Sequence, residues 1–364
     1  MKKLNISIIL PYPVTKPSGG PKIMYEYANK LSQNGHQLTI YHSIKRPYKK
    51  SKTPLFVKRT IYALRGISRP KWFVLEENIK SLIVPAITNK YIADADIVLS
   101  TWWQMTYAVD QLSASKGEKF NLIQDYEVWN GRHELVDQSF CLGVQNIVIA
   151  KYLQELVYKT SGIMPAYLPN AIDTDKFYVA VNIADRIDHS VIMLYSEELR
   201  KGTQYGLDAL YAIQKNIPGL QVTFFGVYPK PRDLPVWISY YQKPVNLPEL
   251  YNNAAIFFSP SLTEGWALPP AEAMACGCAV VCTNIGGHAD YAFENETALL
   301  VEPKNINEMV EKISMLLNDV SLRKKLAQNG RSLITSNFSW DKNIQKLEEI
   351  FYRAIEKNTA IKTN

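Results

Sequence analysis

The most constraining feature of this chain is its alternation of short apolar runs with longer amphipathic ones. "NISIIL" is a β-rich run that ends in "PYPVTKPSGGP", a loop crowded with turn formers. From Lys22 to Gly35, "KIMYEYANKLSQNG" spaces Ile23, Tyr27 and Leu31 four residues apart, predicting an amphipathic helix closed by Gly35. "HQLTIYHS" then reads as a second strand. Strand, glycine-rich loop, helix and strand make a βαβ unit, and such a unit opens a doubly wound domain with a parallel sheet. "DIVLST", "FNLIQDY" and "NIVIA" continue that sheet.

A second alternating series follows "YLPNAIDTDKF". Its strands are "SVIMLYS", "LQVTFFG", "AIFFSP", "AVVCTN" and "ALLVE". Helices are predicted near 202–215, at "LPELYNNA", over 306–317 and near 321–336, which again describes an α/β layer structure. At 364 residues the chain exceeds one core of ordinary size, so two domains are expected. In the last segment Ile344, Leu347, Ile350, Phe351 and Ala354 share one helical face, which predicts a docked helix.

Composition narrows the function classes. No run approaches the ~20 apolar residues that span a bilayer, and the apolar start "MKKLNISIILPYP" stops at Pro11 with no small-residue cleavage site. A cytoplasmic protein, at most peripheral at the inner face of the membrane, is expected. Cys276, Cys278 and Cys282 lie close together but without a histidine at finger-like spacing, so they read as reduced, buried small side chains. The D-x-D of Asp94 and Asp96 precedes the apolar run "IVLS" and reads as the start of a strand; no metal site is expected. Residues 45–71 carry "KRPYKKSK" and then Lys58, Arg59, Arg65, Arg69 and Lys71, with Trp72 and Phe73 following. This stretch reads either as a solvated loop and helix face or as a contact with anionic lipid. No nucleic-acid recognition motif accompanies the charge.

The chemistry concentrates in "TEGWALPPAEAMACG", residues 263–277. Pro269 and Pro270 suit the first turn of a helix, where amide donors have no intrahelical partner, and Gly277 suits its end. Glu264 then arrives on the loop after "AIFFSP" and Glu272 projects from the first turn. Helix-start amides attract phosphate, while carboxylates accept hydrogen bonds from hydroxyls. The set fits a ligand with phosphate at its centre and polyol at both ends, the layout of a nucleotide sugar. The same spacing is met by a glutamate complementing the helix dipole and an unconnected loop glutamate.

"EGWALPPAEAMACGCAVVCTNIGG" resembles the E-x7-E signature of retaining glycosyltransferase family 4, which has the GT-B fold. "SGGPKIMYEYANKLSQNGHQLTIY" resembles that family's glycine loop and first helix, and "LPNAIDTDKF" its hinge segment, with Ala171 where glycine is usual. "STWW" and "IQDYEVW" look like a bacterial cell-surface polysaccharide branch that includes rhamnosyltransferases. The resemblance implies two Rossmann-like domains facing a central cleft: 1–170 for the acceptor, joined by the helix 341–364, and 171–340 for the donor. It implies that Glu272 binds the donor ribose and Glu264 the transferred sugar. The amides of Gly265, Trp266, Ala267 and Leu268 would face the sugar and distal phosphate, and Gly19 and Gly20 would let the first domain's loop approach the diphosphate. Lys201 and Arg200 of "ELRKG" would neutralise the diphosphate in place of a metal. The family's Gly-Arg pair, about five residues before the lysine, is replaced here by Tyr195 and Ser196. The family's catalytic histidine has its candidate in His133, and Asp125 and Glu127 are candidates for the acceptor. No cofactor is expected beyond the nucleotide-sugar substrate. The acceptor is expected to be a glycan or lipid-linked glycan, with an anionic membrane surface as a further partner through 45–71.

Two other readings use the same residues. A retaining glycoside hydrolase needs two carboxylates but has no use for phosphate-binding cations. A non-catalytic nucleotide-sugar or glycan-binding protein is consistent with the missing Gly-Arg pair.

Overall fold

The computed structural model describes the chain except residues 1, 16, 50–52, 65–67, 130 and 364, and except the side chains at 56, 59, 63, 64, 359 and 361–363. It divides into two compact units, Met1–Pro169 with Asn343–Asn364, and Asn170–Lys342.

In chain order the first unit holds β1 (Asn5–Leu10), α1 (Gly19–Gln33), β2 (Gln37–Ser43), α2 (Leu55–Leu64), β3 (Lys80–Val84), β4 (Ile97–Thr101), α3 (Trp103–Asp110), β5 (Glu118–Ile123), α4 (His133–Ser139), β6 (Gln145–Val148), α5 (Lys151–Ser161) and β7 (Ala166–Tyr167). All seven strands are parallel, in the order β3-β2-β1-β4-β5-β6-β7. The strand order reverses between β1 and β4. Since right-handed crossovers lead from β1 one way and from β4 the other, a crevice opens beyond their carboxyl ends. Both faces of the sheet are covered, so β1 and β4 are buried along almost their whole length.

The second unit holds β8 (Ser190–Leu194), α6 (Thr203–Asn216), β9 (Gln221–Gly226), β10 (Ile238–Gln242), α7 (Leu247–Asn252), β11 (Ile256–Ser259), α8 (Leu268–Ala275), β12 (Ala279–Thr283), β13 (Ala298–Val301), α9 (Ile306–Asn318) and α10 (Val320–Asn337). Its six strands are also parallel, ordered β10-β9-β8-β11-β12-β13, and the reversal falls between β8 and β11. Its core gathers Met193, Phe224, Phe258, Val281 and Leu299 from the strands with Leu210, Ile313 and Leu326 from the helices.

The final helix, α11 (Trp340–Thr363), begins in the second unit and continues in the first. There Leu347, Phe351 and Ala354 are buried, with the Phe351 ring 5.0 Å from Phe120. His36 accepts the Leu4 N–H on Nδ1 at 3.0 Å and reaches Glu348 through Nε2 at 2.7 Å, and the Tyr352 hydroxyl donates to the Lys2 carbonyl. The apolar face predicted for this segment is the buried one.

Three local expectations change. Helix α1 starts at Gly19 rather than Lys22, because Pro21 fits its first turn, so Gly19 and Gly20 are helical residues and not loop. The edge strands β3 and β10, "KSLIV" and "ISYYQ", carry too much polar exposure to read as strands in isolation. In the basic stretch, Arg69 donates to the carbonyls of Ile79, Leu75 and Glu76, and Trp72 donates to Val14. Its last part therefore belongs to the packing of the unit and not to a solvated face. Lys50, Lys52, Arg65 and the Arg59 side chain lie outside what is described.

Candidate active site

In the second unit two loops leave the switch point. One follows β8 and carries "EELRKG"; the other follows β11 and carries "PSLTEGWA". Gly202 takes φ +64°, and a Cβ there would stand 2.0 Å from the Pro260 carbonyl oxygen, so only glycine lets the first loop press on the second. The Leu262 N–H donates to the Arg200 carbonyl at 2.7 Å and fixes the two together.

That junction presents a clamp. Lys201 Nζ lies 2.6 and 2.9 Å from the two carboxylate oxygens of Glu264, Arg200 Nη1 donates to Oε2 at 3.2 Å, and the Ser261 hydroxyl donates to Oε1 at 2.8 Å. Arg200 Nε is held by Glu198 at 2.7 Å. Glu264 is buried, which by itself pushes its carboxyl up, but Lys201, Arg200 and Ser261 together hold it below the usual glutamate range. The carboxylate is thus ionised, oriented and buried. From behind, Gly287 packs so closely that a Cβ would meet the Glu264 carbonyl oxygen at 2.4 Å.

Helix α8 corrects two expectations. Glu272 lies past the first turn, which contains no acidic residue; it is buried and accepts the Tyr251 hydroxyl at 3.3 Å. The amide end is also smaller than the sequence implied. Pro269 and Pro270 have no N–H, and the Ala267 N–H donates to the Gly287 carbonyl at 3.0 Å. Ala267 therefore has no donor to offer a phosphate, and Gly265, Trp266 and Leu268 remain. The Trp266 ring turns inward, 4.8 Å from Tyr291 and 5.5 Å from Phe338.

In the first unit Gly19 and Gly20 open α1. Among the described residues a Cβ at Gly19 would meet nothing within 4 Å, and one at Gly20 would reach the Gln124 amide at 3.5 Å or more. Protein packing does not require either glycine. Asp125 accepts the Tyr126 N–H at 2.8 Å, and Glu127 accepts the Trp103 N–H at the start of α3 at 2.9 Å. Both line a small cavity with Trp102, Trp103 and Asn121. Burial pushes the Glu127 carboxyl up to about 8; the Trp103 N–H opposes this and Asp125 adds to it. His133 is exposed at the start of α4, its ring edge-on to Tyr126 at 6.1 Å.

Three comparisons with known proteins bear on this arrangement. Residues 190–333 match the family model described as "Glycosyl transferases group 1". The chain superposes on sucrose-phosphate synthase from Thermosynechococcus elongatus with a TM-score of 0.71 at 15% identity, over 98% of this chain and 100% of that one. It superposes on Anabaena HepE, solved with UDP and glucose, with a TM-score of 0.71 at 12% identity, over 96% and 100%. The fold is GT-B. The capsular polysaccharide biosynthesis glycosyltransferase CapM of Staphylococcus aureus is 35% identical over 101 residues, 28% of this chain and 27% of CapM. The matched stretch spans about a quarter of the length of the curated relatives it is similar to.

Within this GT-B chain, Arg200, Lys201 and Glu264 meet in one clamp. Glu272 stands at the neighbouring helix, and Asp125 and Glu127 share a separate cavity in the first unit. Ser261 and Gly287 escaped the sequence reading. Ser261, three residues before Glu264, was visible in spacing, whereas the role of Gly287 is legible only once β12 is placed beside β11. His288 of "IGGHAD" is buried against Thr283 and Ser259 and serves packing. Asp94 pairs with Lys116 and Ser115, and Asp96 accepts the Asn5 N–H. Cys276, Cys278 and Cys282 are free and buried.

Proposed function

We propose that the protein is a retaining, metal-independent glycosyltransferase. It would move a hexose or deoxyhexose from a nucleoside diphosphate sugar to a glycan or lipid-linked acceptor in cell-envelope polysaccharide synthesis. The observation that carries this reading is the Glu264 clamp at the switch point of the second sheet. An ionised carboxylate suited to sugar hydroxyls is held there by two cations suited to a diphosphate. When the donor binds, its phosphates compete for Lys201 and Arg200, and the Glu264 oxygens are released toward the sugar. Glu272 takes the ribose hydroxyls, with Gly265, Trp266 and Leu268 offering amides. The departing diphosphate accepts the acceptor hydroxyl's proton on the same face, so the protein supplies position and charge more than a nucleophile. Arg200 fills the place of the missing Gly-Arg pair. The first unit holds the acceptor through Asp125 and Glu127, with His133 near them in sequence, and Gly19 and Gly20 at the start of α1 leave open space there. The bound nucleotide of HepE and the polysaccharide context of CapM support this class of chemistry. The "IQDYEVW" likeness favours rhamnose among deoxyhexoses, and the basic stretch 45–71 favours work at the inner membrane face.

The test is a panel of nucleotide sugars screened by thermal shift, followed by transfer assays with wild-type, Glu264→Gln and Lys201→Ala protein. A stabilising donor whose transfer falls at least about 100-fold in both variants supports the reading. Unchanged transfer in both would sink the catalytic assignment of Glu264 and Lys201, a stabilising donor that is never transferred would leave a binding protein, and hydrolysis of oligosaccharides without a donor would leave a hydrolase. Flotation with anionic and neutral vesicles tests the membrane part, and equal recovery on both counts against it.

A further inference from the structure

The first unit contains a second cationic feature, at the start of the basic stretch 45–71. Arg46 follows β2, Tyr12 follows β1 and Trp102 follows β4, so three neighbouring strands deliver them to the carboxyl-end crevice at the sheet's reversal. The Arg46 guanidinium lies 4.8 Å from the Tyr12 ring centre and 5.5 Å from that of Trp102, with the two rings 5.8 Å apart. Cation–π contact holds the plane of a guanidinium while leaving its N–H groups directed away.

Arg46 is half-buried, and among the described residues no carboxylate pairs with it and no acceptor takes its side-chain N–H groups. Burial lowers its pKa, and Arg46 in turn is the first cause lowering that of Lys49, ahead of burial and Lys58. Cations gathered without a counter-charge are costly unless an anion arrives. The backbone is also strained where the rings are delivered. Trp102 takes φ +77° and Tyr48, stacked 5.7 Å from Trp103, takes φ +58°. Bulky side chains are disfavoured in that region, and such strain gathers at ligand sites. Trp102, Trp103 and Glu127 line a cavity with Asn121, whose buried side-chain amide oxygen has no hydrogen-bond partner among the described residues.

We infer that Arg46, laid on Tyr12 and Trp102, is the seat of a phosphate ester carried by the acceptor, with one hydroxyl of the attached sugar directed into the water-sized cavity that Asn121 and Glu127 line. This rests on the transferase reading for the word acceptor, while the anion seat stands on its own geometry. Guanidinium binds such an ester by paired N–H donation, which an ammonium does not reproduce.

The experiment is calorimetric titration of the full chain with glucose 1-phosphate, with glucose as the uncharged control and no donor present. Wild type binds glucose 1-phosphate and not glucose. Arg46→Gln weakens it at least about 10-fold at an unchanged melting temperature, Arg46→Lys falls between, and Lys90→Gln, at an exposed lysine outside the basic stretch, matches wild type. Undetectable binding by wild type, equal affinity in Arg46→Gln, or equal loss in Lys90→Gln overturns the seat. So does an Arg46→Gln effect confined to phosphatidylglycerol vesicles, which would assign the arginine to lipid headgroups. Transfer to neutral and phosphorylated acceptors at equal rates sinks the inference and leaves the transferase reading standing.

Discussion

Glu264 is the residue on which the second unit's chemistry turns, and its partners fix how it responds to acid. Its folded pKa lies below that of an unfolded glutamate, so its ionised form contributes stability above the unfolded value, and that contribution is lost as pH falls through the folded value. The stability gap between wild type and Glu264→Gln is therefore expected to be constant near neutrality and to close only below the ordinary glutamate range, as followed by urea unfolding at several pH values. Glu127 has the opposite sign. With a folded pKa of about 8, its carboxyl opposes folding increasingly as pH rises from the ordinary glutamate range to 8. Glu127→Gln should match wild type at pH 4 and exceed its stability at pH 8 by at least about 1 kcal/mol, since one pKa unit corresponds to 1.36 kcal/mol. Neither property is legible in the sequence. The "E-x7-E" spacing marks the two glutamates of the motif, but Lys201 and Glu264 stand far apart along the chain, and only the folding of β8 beside β11 gives the carboxylate its cations.

At the scale of elements, the strands and helices of both sheets were largely readable because buried parallel strands are continuous apolar runs and their helices carry a 3.6-residue stripe. The misses are edge strands and short helices, where burial leaves a weaker pattern: β3, β7, β10, and the three helices between β4 and β7. The turn at Gly202 is a tighter constraint than any helix. Gly202→Ala should cost about 2 kcal/mol or more, through both the left-handed backbone and the clash with Pro260, and should part Lys201 from Glu264. A melting curve with a donor thermal shift measures both. Behind α8, buried Arg186 donates to the carbonyls of Ala254 at 2.9 Å and of Cys276 at the helix end. Arg186→Ala is expected to lower stability by about 2–4 kcal/mol, because these donations tie α7 and α8 to the 3-10 turn at 183–185.

For the whole molecule, the return of α11 matters most. His36, Glu348, Phe120 and Phe351 tie the segment after Asn343 to the first sheet. Deleting it should unfold the first unit at a lower temperature while leaving the second unit's donor-induced shift in place, and differential scanning calorimetry of the truncated chain checks this. The stripe of Ile344, Leu347 and Phe351 showed that the helix docks; which unit it docks on came from resemblance and not from the pattern itself.

That return also bears on the order in which the protein is made. Asn170–Lys342 is an uninterrupted stretch, complete once Lys342 has emerged from the ribosome, whereas the unit begun at the amino end waits for a helix synthesised after the whole of its neighbour. Domains made in chain order normally fold in that order. Here the second unit is finished first. The first spends that interval with the faces of Phe120 and His36 uncovered, apolar surface and an unpaired imidazole nitrogen that only the last residues of the chain cover.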